Sequence, residues 1–342
     1  MKDLLPIWKL KLTGLLNWSN EEKKRYSKSS FNPNDLLPQH AEHYLNKENP
    51  YLLELKNQYL QLKLPVNHHS AWGENIYDRG FELQWFRGDN VYLFQYRQFR
   101  EEARNNTYLS YLDFKNKDSL GLLEKLKEDG FFGCWDFEFE GIGKLSRDLL
   151  DSINEINYLN KHIHFKSLPQ LRILDIGAGY GRLAHRMCEA IDHIKCYDCI
   201  DAIAESTFIC DYYLKYRKVD NKARSVPLTN YKSLQDHYDI AINIHSFSEC
   251  TYESVRWWLD QINERRVDWL LIVPNDADRL VTNEGRGEKI SYANYIKQLG
   301  YVLVDTTPVY EDNDIRKKTG ITDYFYLFKK NWGDQHRLVL PF

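Results

Sequence analysis

The stretch Ile173-Leu174-Asp175-Ile176-Gly177-Ala178-Gly179-Tyr180-Gly181-Arg182-Leu183-Ala184 decides how the rest of the chain is read. Apolar residues run into three glycines spaced two apart, and a helix-patterned segment, Leu183 to Ala190, follows. A buried parallel strand, a tight turn and a helix start give that pattern. Glycines in such a turn let backbone N–H groups and a helix N-terminus approach a ligand with no Cβ in the way. Spacing narrows the ligand. A dinucleotide fingerprint, G-x-G-x-x-G, would place its third glycine at position 182, where Arg182 stands. A phosphate loop would end in Gly-Lys-Ser/Thr, and none follows. What remains is Asp-x-Gly-x-Gly-x-Gly, Asp175 to Gly181.

The chain of 342 residues is long enough for one large domain or two ordinary ones, each with its own core. Hydrophobic content of 43% and charged content of 28% are those of a soluble globular protein. A net charge of −3 exerts no global pull on nucleic acid, so no nucleic-acid partner is expected. No apolar run approaches the ~20 residues of a membrane helix, so no membrane insertion is expected either. The N-terminus carries Asp3, Lys9 and Lys11 and lacks a small-residue cleavage site, so the expected location is cytoplasmic. Cys134, Cys188, Cys196, Cys199, Cys210 and Cys250 are irregularly spaced, as reduced thiols are. Cys196 and Cys199 form a C-x-x-C pair, but on a strand that separation points the two thiols to opposite faces.

Patterning divides the chain near the stretch His162 to Gln170. Residues 1–165 read as a mostly helical, aromatic-rich domain suited to acceptor binding or oligomerisation. Within it, Asn49 to Leu64 has helical spacing and ends at Pro65, and Phe81 to Tyr96 reads as an aromatic hairpin. Ser119 to Asp129 is a short helix closed by Gly130, and Ser146 caps a helix running to Leu159. Residues 166–342 alternate strand and helix. The expected strands are Arg172–Ile176, Ile194–Ile200, Ala223–Pro227, Tyr238–Ile244, Trp269–Val273, Tyr301–Val309 and Tyr324–Lys329, the last two with no helix between them. The helices between the others are Leu183–Ala190, Glu205–Tyr216, Glu253–Arg265 and Ser291–Leu299. That is an α/β domain on a mostly parallel sheet. Turn residues around Gly285 and Gly287 make 277–288 an expected mobile loop.

The glycine turn resembles the S-adenosylmethionine (SAM) turn of Rossmann-like methyltransferases, and that resemblance orders the remaining strand ends. In an open parallel sheet, ligands lie beyond the carboxyl ends of the strands, at the switch in strand order. Asp175 and the glycines end the first strand; Asp175 is suited to organising the turn or to receiving the cofactor's ammonium through water. The second strand ends in Asp201, twenty residues after Gly181, where a carboxylate can accept both ribose hydroxyls. Asp198, inside the strand, is the weaker choice. The fourth strand ends in Asn243-Ile244-His245-Ser246-Phe247-Ser248-Glu249-Cys250, which in this fold faces the reactive methyl group. A hydroxyl acceptor benefits from a base within reach; His245 has the intrinsic basicity for it, and Glu249 could hold the imidazole or the acceptor. The segment lacks the Asn/Asp-Pro-Pro-Tyr/Phe arrangement of DNA amino-methyltransferases. Pro274-Asn275-Asp276 at the fifth strand end, with His245 or Glu249, could collect a divalent metal, although that ligand set is not distinctive and no metal site is favoured. Arg147 and Arg182 are candidates for the cofactor carboxylate.

Leu174 to Ala184, Ile200-Asp-Ala-Ile-Ala-Glu-Ser206 with Tyr212-Tyr213-Leu214, and Asn243 to Glu249 together resemble the sugar O-methyltransferases of bacterial surface-polysaccharide clusters. Glu128-Asp-Gly-Phe-Phe-Gly133 and Ser146 to Glu155 add to the likeness, which covers roughly 120–280. Ala204 stands where that family often has proline, and Cys250 where it often has Met. The resemblance implies a seven-stranded class I methyltransferase domain preceded by a mostly helical one. It further implies SAM as cofactor (Asp175, Gly177, Gly179, Gly181, Asp201, Arg147), His245 and Glu249 as catalytic residues, and a small-molecule or glycan acceptor. A metal-assisted natural-product methyltransferase and a non-catalytic SAM-fold scaffold are the alternatives. The first hundred residues carry no resemblance, and oligomeric state is open.

Overall fold

A computed structural model describes residues 30–32, 36–67, 82–88 and 100–332. In chain order the first elements are β1 (Ser30–Asn32), α1 (Ala41–Tyr44), α2 (Pro50–Gln61), α3 (Arg100–Phe114), α4 (Leu122–Lys125), β2 (Asp136–Phe139), β3 (Gly143–Leu145) and α5 (Arg147–Ile163). Next come β4 (Leu171–Ile176), α6 (Arg182–Ala190), β5 (Ile194–Ile200), α7 (Ala204–Tyr216), β6 (Ala223–Val226) and β7 (Ile240–Ile244). The last are α8 (Tyr252–Glu264), β8 (Trp269–Val273), α9 (Ala293–Gln298), β9 (Tyr301–Pro308), α10 (Asn313–Thr319) and β10 (Tyr324–Lys330).

The apolar runs of β4, β7 and β8 have side chains buried on both faces, which is what central parallel strands covered by helices require. They stand mid-sheet in the order β6-β5-β4-β7-β8-β10-β9. Pairing is parallel from β6 to β8, and β10 runs antiparallel to both β8 and β9. The chain winds outward from β4 through β5 to β6, then returns to start β7 on the other flank of β4. The switch point is therefore the β4 carboxyl end. All seven expected strands are present within a few residues of their anticipated ends. One expectation fails: α10 lies between β9 and β10.

The chain forms two units that interleave in sequence. Among the described residues, one holds those up to Asn46, those from Gly80 to His164, and Tyr310–Ile321. The other holds those from Lys47 to Arg79, Phe165–Val309, and those from Thr322 onward. A boundary falls at 164/165, near the one expected, but α2 and α10 each sit in the unit that a single cut at 165 would deny them. The reason for α2 is packing. Asn49 caps its first turn, and Leu52, Leu55 and Tyr59 are buried against the sheet unit. The Tyr59 hydroxyl bonds Thr207 Oγ1 (2.9 Å) and accepts the Leu228 N–H (2.7 Å). Lys56 pairs with Glu205 at 2.9 Å, and Ser254 donates to the Pro65 carbonyl at 2.8 Å.

In the other unit, β1, β2 and β3 form an antiparallel sheet, and α5 is capped by Ser146, whose hydroxyl accepts the Leu149 N–H. Its centre is ionic. Arg87, fully buried, donates to both Glu128 oxygens (3.0 and 2.8 Å) and to Asp148 (3.0 Å). Asp129 and the Phe131 carbonyl take its remaining N–H groups at 3.5 and 3.3 Å. Within the expected hairpin at 81–96, Leu83–Trp85 forms a 3-10 turn instead of a strand; residues 89–96 lie outside the described residues. The turn suits Gly88, where a Cβ would stand 2.3 Å from the Gly133 carbonyl oxygen. The helix expected over 119–129 shrinks to α4, because Gly121 sits in the left-handed region at its start.

Candidate functional site

The three glycines are required for three different reasons. All have positive φ (70°, 57° and 82° for Gly177, Gly179 and Gly181), which L side chains rarely adopt. A Cβ on Gly177 would lie 2.2 Å from Ser246 Oγ, so the segment after β7 packs directly onto the turn after β4. Gly179 donates its N–H to Asp201 Oδ2 at 3.1 Å. Gly181 lies against α7, where a Cβ would meet Cys210 Sγ at 3.0 Å. The turn is thus tied to β5, α7 and β7 together.

Asp201 closes this arrangement. Its other oxygen accepts the Ile203 N–H at 2.9 Å, and its side chain is buried. Burial pushes its carboxyl up to about 7; the Ile203 and Gly179 N–H groups oppose that, and the negative charges of Asp175 and Glu249 add to it. The ends of β4, β5 and β7 therefore bring three carboxylates into one electrostatic neighbourhood. Asp175 itself is buried and accepts the Tyr197 hydroxyl at 2.8 Å. Asp201 accepts an N–H from the turn itself, that of Gly179. Asp198 is bonded to Arg224 (2.7 and 3.0 Å) and to the Tyr238 hydroxyl (2.5 Å), a structural role inside the sheet.

Beyond β7, Asn243 stitches two strand ends together. It donates to the Ile176 carbonyl (2.9 Å) and to Ser246 Oγ (2.5 Å) and accepts the Phe247 N–H (3.1 Å). Sequence reading passed over this residue, since an asparagine at a strand end has no distinguishing local pattern. The stitch holds His245 at φ 68°, ψ −39°, a conformation costing about 1–3 kcal/mol for a residue with a Cβ. The His245 N–H donates to the Val273 carbonyl at 2.7 Å, and its own carbonyl accepts the Ser248 N–H at 2.9 Å. His245 Nε2 lies 3.3 Å from Asp323 Oδ2, both side chains being mostly buried. Asp323, just before β10, was also missed. The carboxylate at the imidazole is that of Asp323, while Glu249, expected to hold either the imidazole or the acceptor, accepts from Asn275 Nδ2 through Oε1 at 3.1 Å.

The metal set considered at the β8 end is otherwise engaged. Asp276 is bonded to Arg279 (2.7 Å) and Lys289 (2.5 Å). Burial works against its charge, but these two cations outweigh it and hold its carboxyl below the usual range. Among the described residues, the metal-like grouping is His237, Asp239 and Asp268, at the amino ends of β7 and β8. Arg147 stands in the other unit and bonds Asp151 one turn along α5 at 3.2 Å. Arg182 is half-buried at the first position of α6. Residues 277–288 are largely irregular, with a turn at 285–287.

No family model matches the chain, and no curated protein matches its sequence. Among solved structures it is similar to the SAM-bound magnesium protoporphyrin IX methyltransferase of Synechocystis PCC 6803. That match has 11% identity and a TM-score of 0.39, over 65% of this chain and 94% of that one. It is also similar to a SAM-dependent methyltransferase of Clostridium acetobutylicum ATCC 824, at 11% identity and TM-score 0.39 over 53% and 90% of the two chains. A third similar structure is mitomycin 7-O-methyltransferase, at 12% identity and TM-score 0.37 over 53% and 57%. At these scores the strand order carries the assignment. Seven strands, with β10, the last in the chain, lying reversed between β8 and β9, and a glycine turn at the switch point give the Rossmann-like fold of class I methyltransferases.

Proposed function

We propose that the chain is a SAM-dependent O-methyltransferase acting on a hydroxyl of a sugar or glycan precursor. The observation that carries the cofactor half is the buried Asp201 carboxylate, locked to the Gly179 N–H at the switch point. Each Asp201 oxygen accepts one backbone N–H and keeps a lone pair free in principle for a ribose hydroxyl. The open side of Gly177, Gly179 and Gly181 suits close approach of a nucleoside. Asp175, Asp201 and Glu249 make the neighbourhood acidic, which favours a cofactor bearing an ammonium and a sulfonium. When bound, that cofactor supplies an electrophilic methyl group.

The chain's own contribution is orientation and proton handling. His245 takes the acceptor hydroxyl's proton as the oxygen forms its bond to the methyl carbon and the carbon–sulfur bond breaks. Glu249, held by Asn275, lies close enough for its charge to act on Asp201. The sugar acceptor is supported by the resemblance of 120–280. The test is calorimetry with SAM and with S-adenosylhomocysteine. Binding that is weakened at least tenfold by Asp201→Ala supports the reading; no binding by the wild type, or undiminished binding by the variant, sinks it. For the base, His245→Ala retains cofactor affinity and loses most acceptor-dependent release of S-adenosylhomocysteine.

A further inference from the structure

We infer that Asp323 is the positioning residue for His245, fixing which imidazole nitrogen carries the proton and leaving Nδ1 as the base. The inference rests on the assignment of His245 as the proton acceptor and adds the group that makes an imidazole at this place competent. Asp323 Oδ2 lies 3.3 Å from Nε2, within reach of a charge-assisted bond once the ring settles on a ligand. A carboxylate beside Nε2 favours the tautomer with the proton on Nε2, and so directs the free lone pair to Nδ1.

Three features separate this pair from an ordinary surface ion pair. Both side chains are mostly buried, at 23% and 18% exposure. The imidazole is delivered by a backbone in the left-handed region, held there by the Asn243 stitch and the bond to Val273. Such strain persists only where surrounding structure over-determines it. The carboxylate is delivered by a different part of the sheet: Asp323 accepts the Val309 N–H through its carbonyl at 2.9 Å and leads into β10, which is registered on β8 beside β7. Two rigid strand ends, rather than one loop, set the separation. Glu249 has a different assignment, since its charge acts on Asp201 and its oxygen is held by Asn275.

The test needs no acceptor. Imidazole 15N shifts of His245 are read with S-adenosylhomocysteine present, in the wild type, Asp323→Ala, Asp323→Ser and Asp323→Glu. The expected result is a dominant Nε2–H tautomer in the wild type, its loss in Asp323→Ala and Asp323→Ser, and its return in Asp323→Glu. Asp323→Ser serves where the alanine variant does not fold. An unchanged tautomer in either truncation, or a wild type with the proton on Nδ1, overturns the inference. Calorimetry on the same samples reports cofactor binding separately, so a failure of the cofactor assignment is distinguished from a failure of the positioning role.

Discussion

Replacing Tyr59 by Phe removes one oxygen and leaves the ring in place, which makes it a clean measure of how α2 is held on the sheet unit. That oxygen accepts the Leu228 N–H at 2.7 Å, bonds Thr207 Oγ1 at 2.9 Å and lies 3.4 Å from the Asp201 carbonyl. Leu228 and Thr207 are both buried, so water does not replace the lost partner. Thr207 has an alternative, bonding back to the carbonyl four residues earlier, as helical threonines do. The Leu228 N–H has none, and an orphaned buried donor costs about 1–3 kcal/mol. The 3.4 Å contact adds little. The expected loss is about 2 kcal/mol, which for a unit of this size lowers the melting temperature by about 4–8 °C. Urea titration and calorimetry measure it, with Leu60→Ala, on the 76% exposed face of the same helix, as the control expected to stay within about 0.5 kcal/mol. A Tyr59→Phe loss below 0.5 kcal/mol would refute the claim that this hydroxyl anchors α2.

Gly177→Ala meets both Ser246 Oγ and an unfavourable φ of 70°, so SAM binding measured by calorimetry is abolished; adding Ser246→Gly removes the clash but not the strain, and restores binding only in part. Arg87→Met leaves the Glu128 and Asp148 carboxylates buried without their cation and destabilises its unit by about 3–5 kcal/mol in denaturant titration. Asp201 ionises near the ordinary aspartate value of 3.8 when unfolded and at about 7 when folded, so between those values the folded state holds more protons and stability falls as pH rises. The fall is at most about 4 kcal/mol, it levels off above pH ~7, and Asp201→Asn flattens it; a stability curve rising across that window contradicts the assignment. Because Asp276 is neutralised by Arg279 and Lys289, EDTA leaves methyl transfer unchanged in an assay of S-adenosylhomocysteine release.

The elements from Leu171 onward, α10 excepted, were legible because their signals are local. Apolar runs bounded by glycine and separated by amphipathic segments specify parallel strands and crossover helices whatever they pack against. The residues before 165 were harder for the same reason. The aromatic residues around Trp85 have strand-like composition, yet a tertiary contact, the approach of Gly88 to the Gly133 backbone, selects a turn. Neither Asn243 nor Asp323 had a spacing that marked it, because each acts on residues distant in sequence.

Sequence alone determined the class of fold, the glycine turn at the switch point and the strand ends where polar residues collect. These follow from periodicity and backbone preference, which are properties of neighbours along the chain. Tertiary structure decided that α2 belongs with the sheet, that Asp201 takes the Gly179 N–H of the turn, and that the Asp323 carboxylate stands beside His245. Those outcomes depend on strand order and register, which bring together residues up to 189 positions apart. No local pattern records which of several carboxylates near a strand end will face a given imidazole; only the packed sheet chooses.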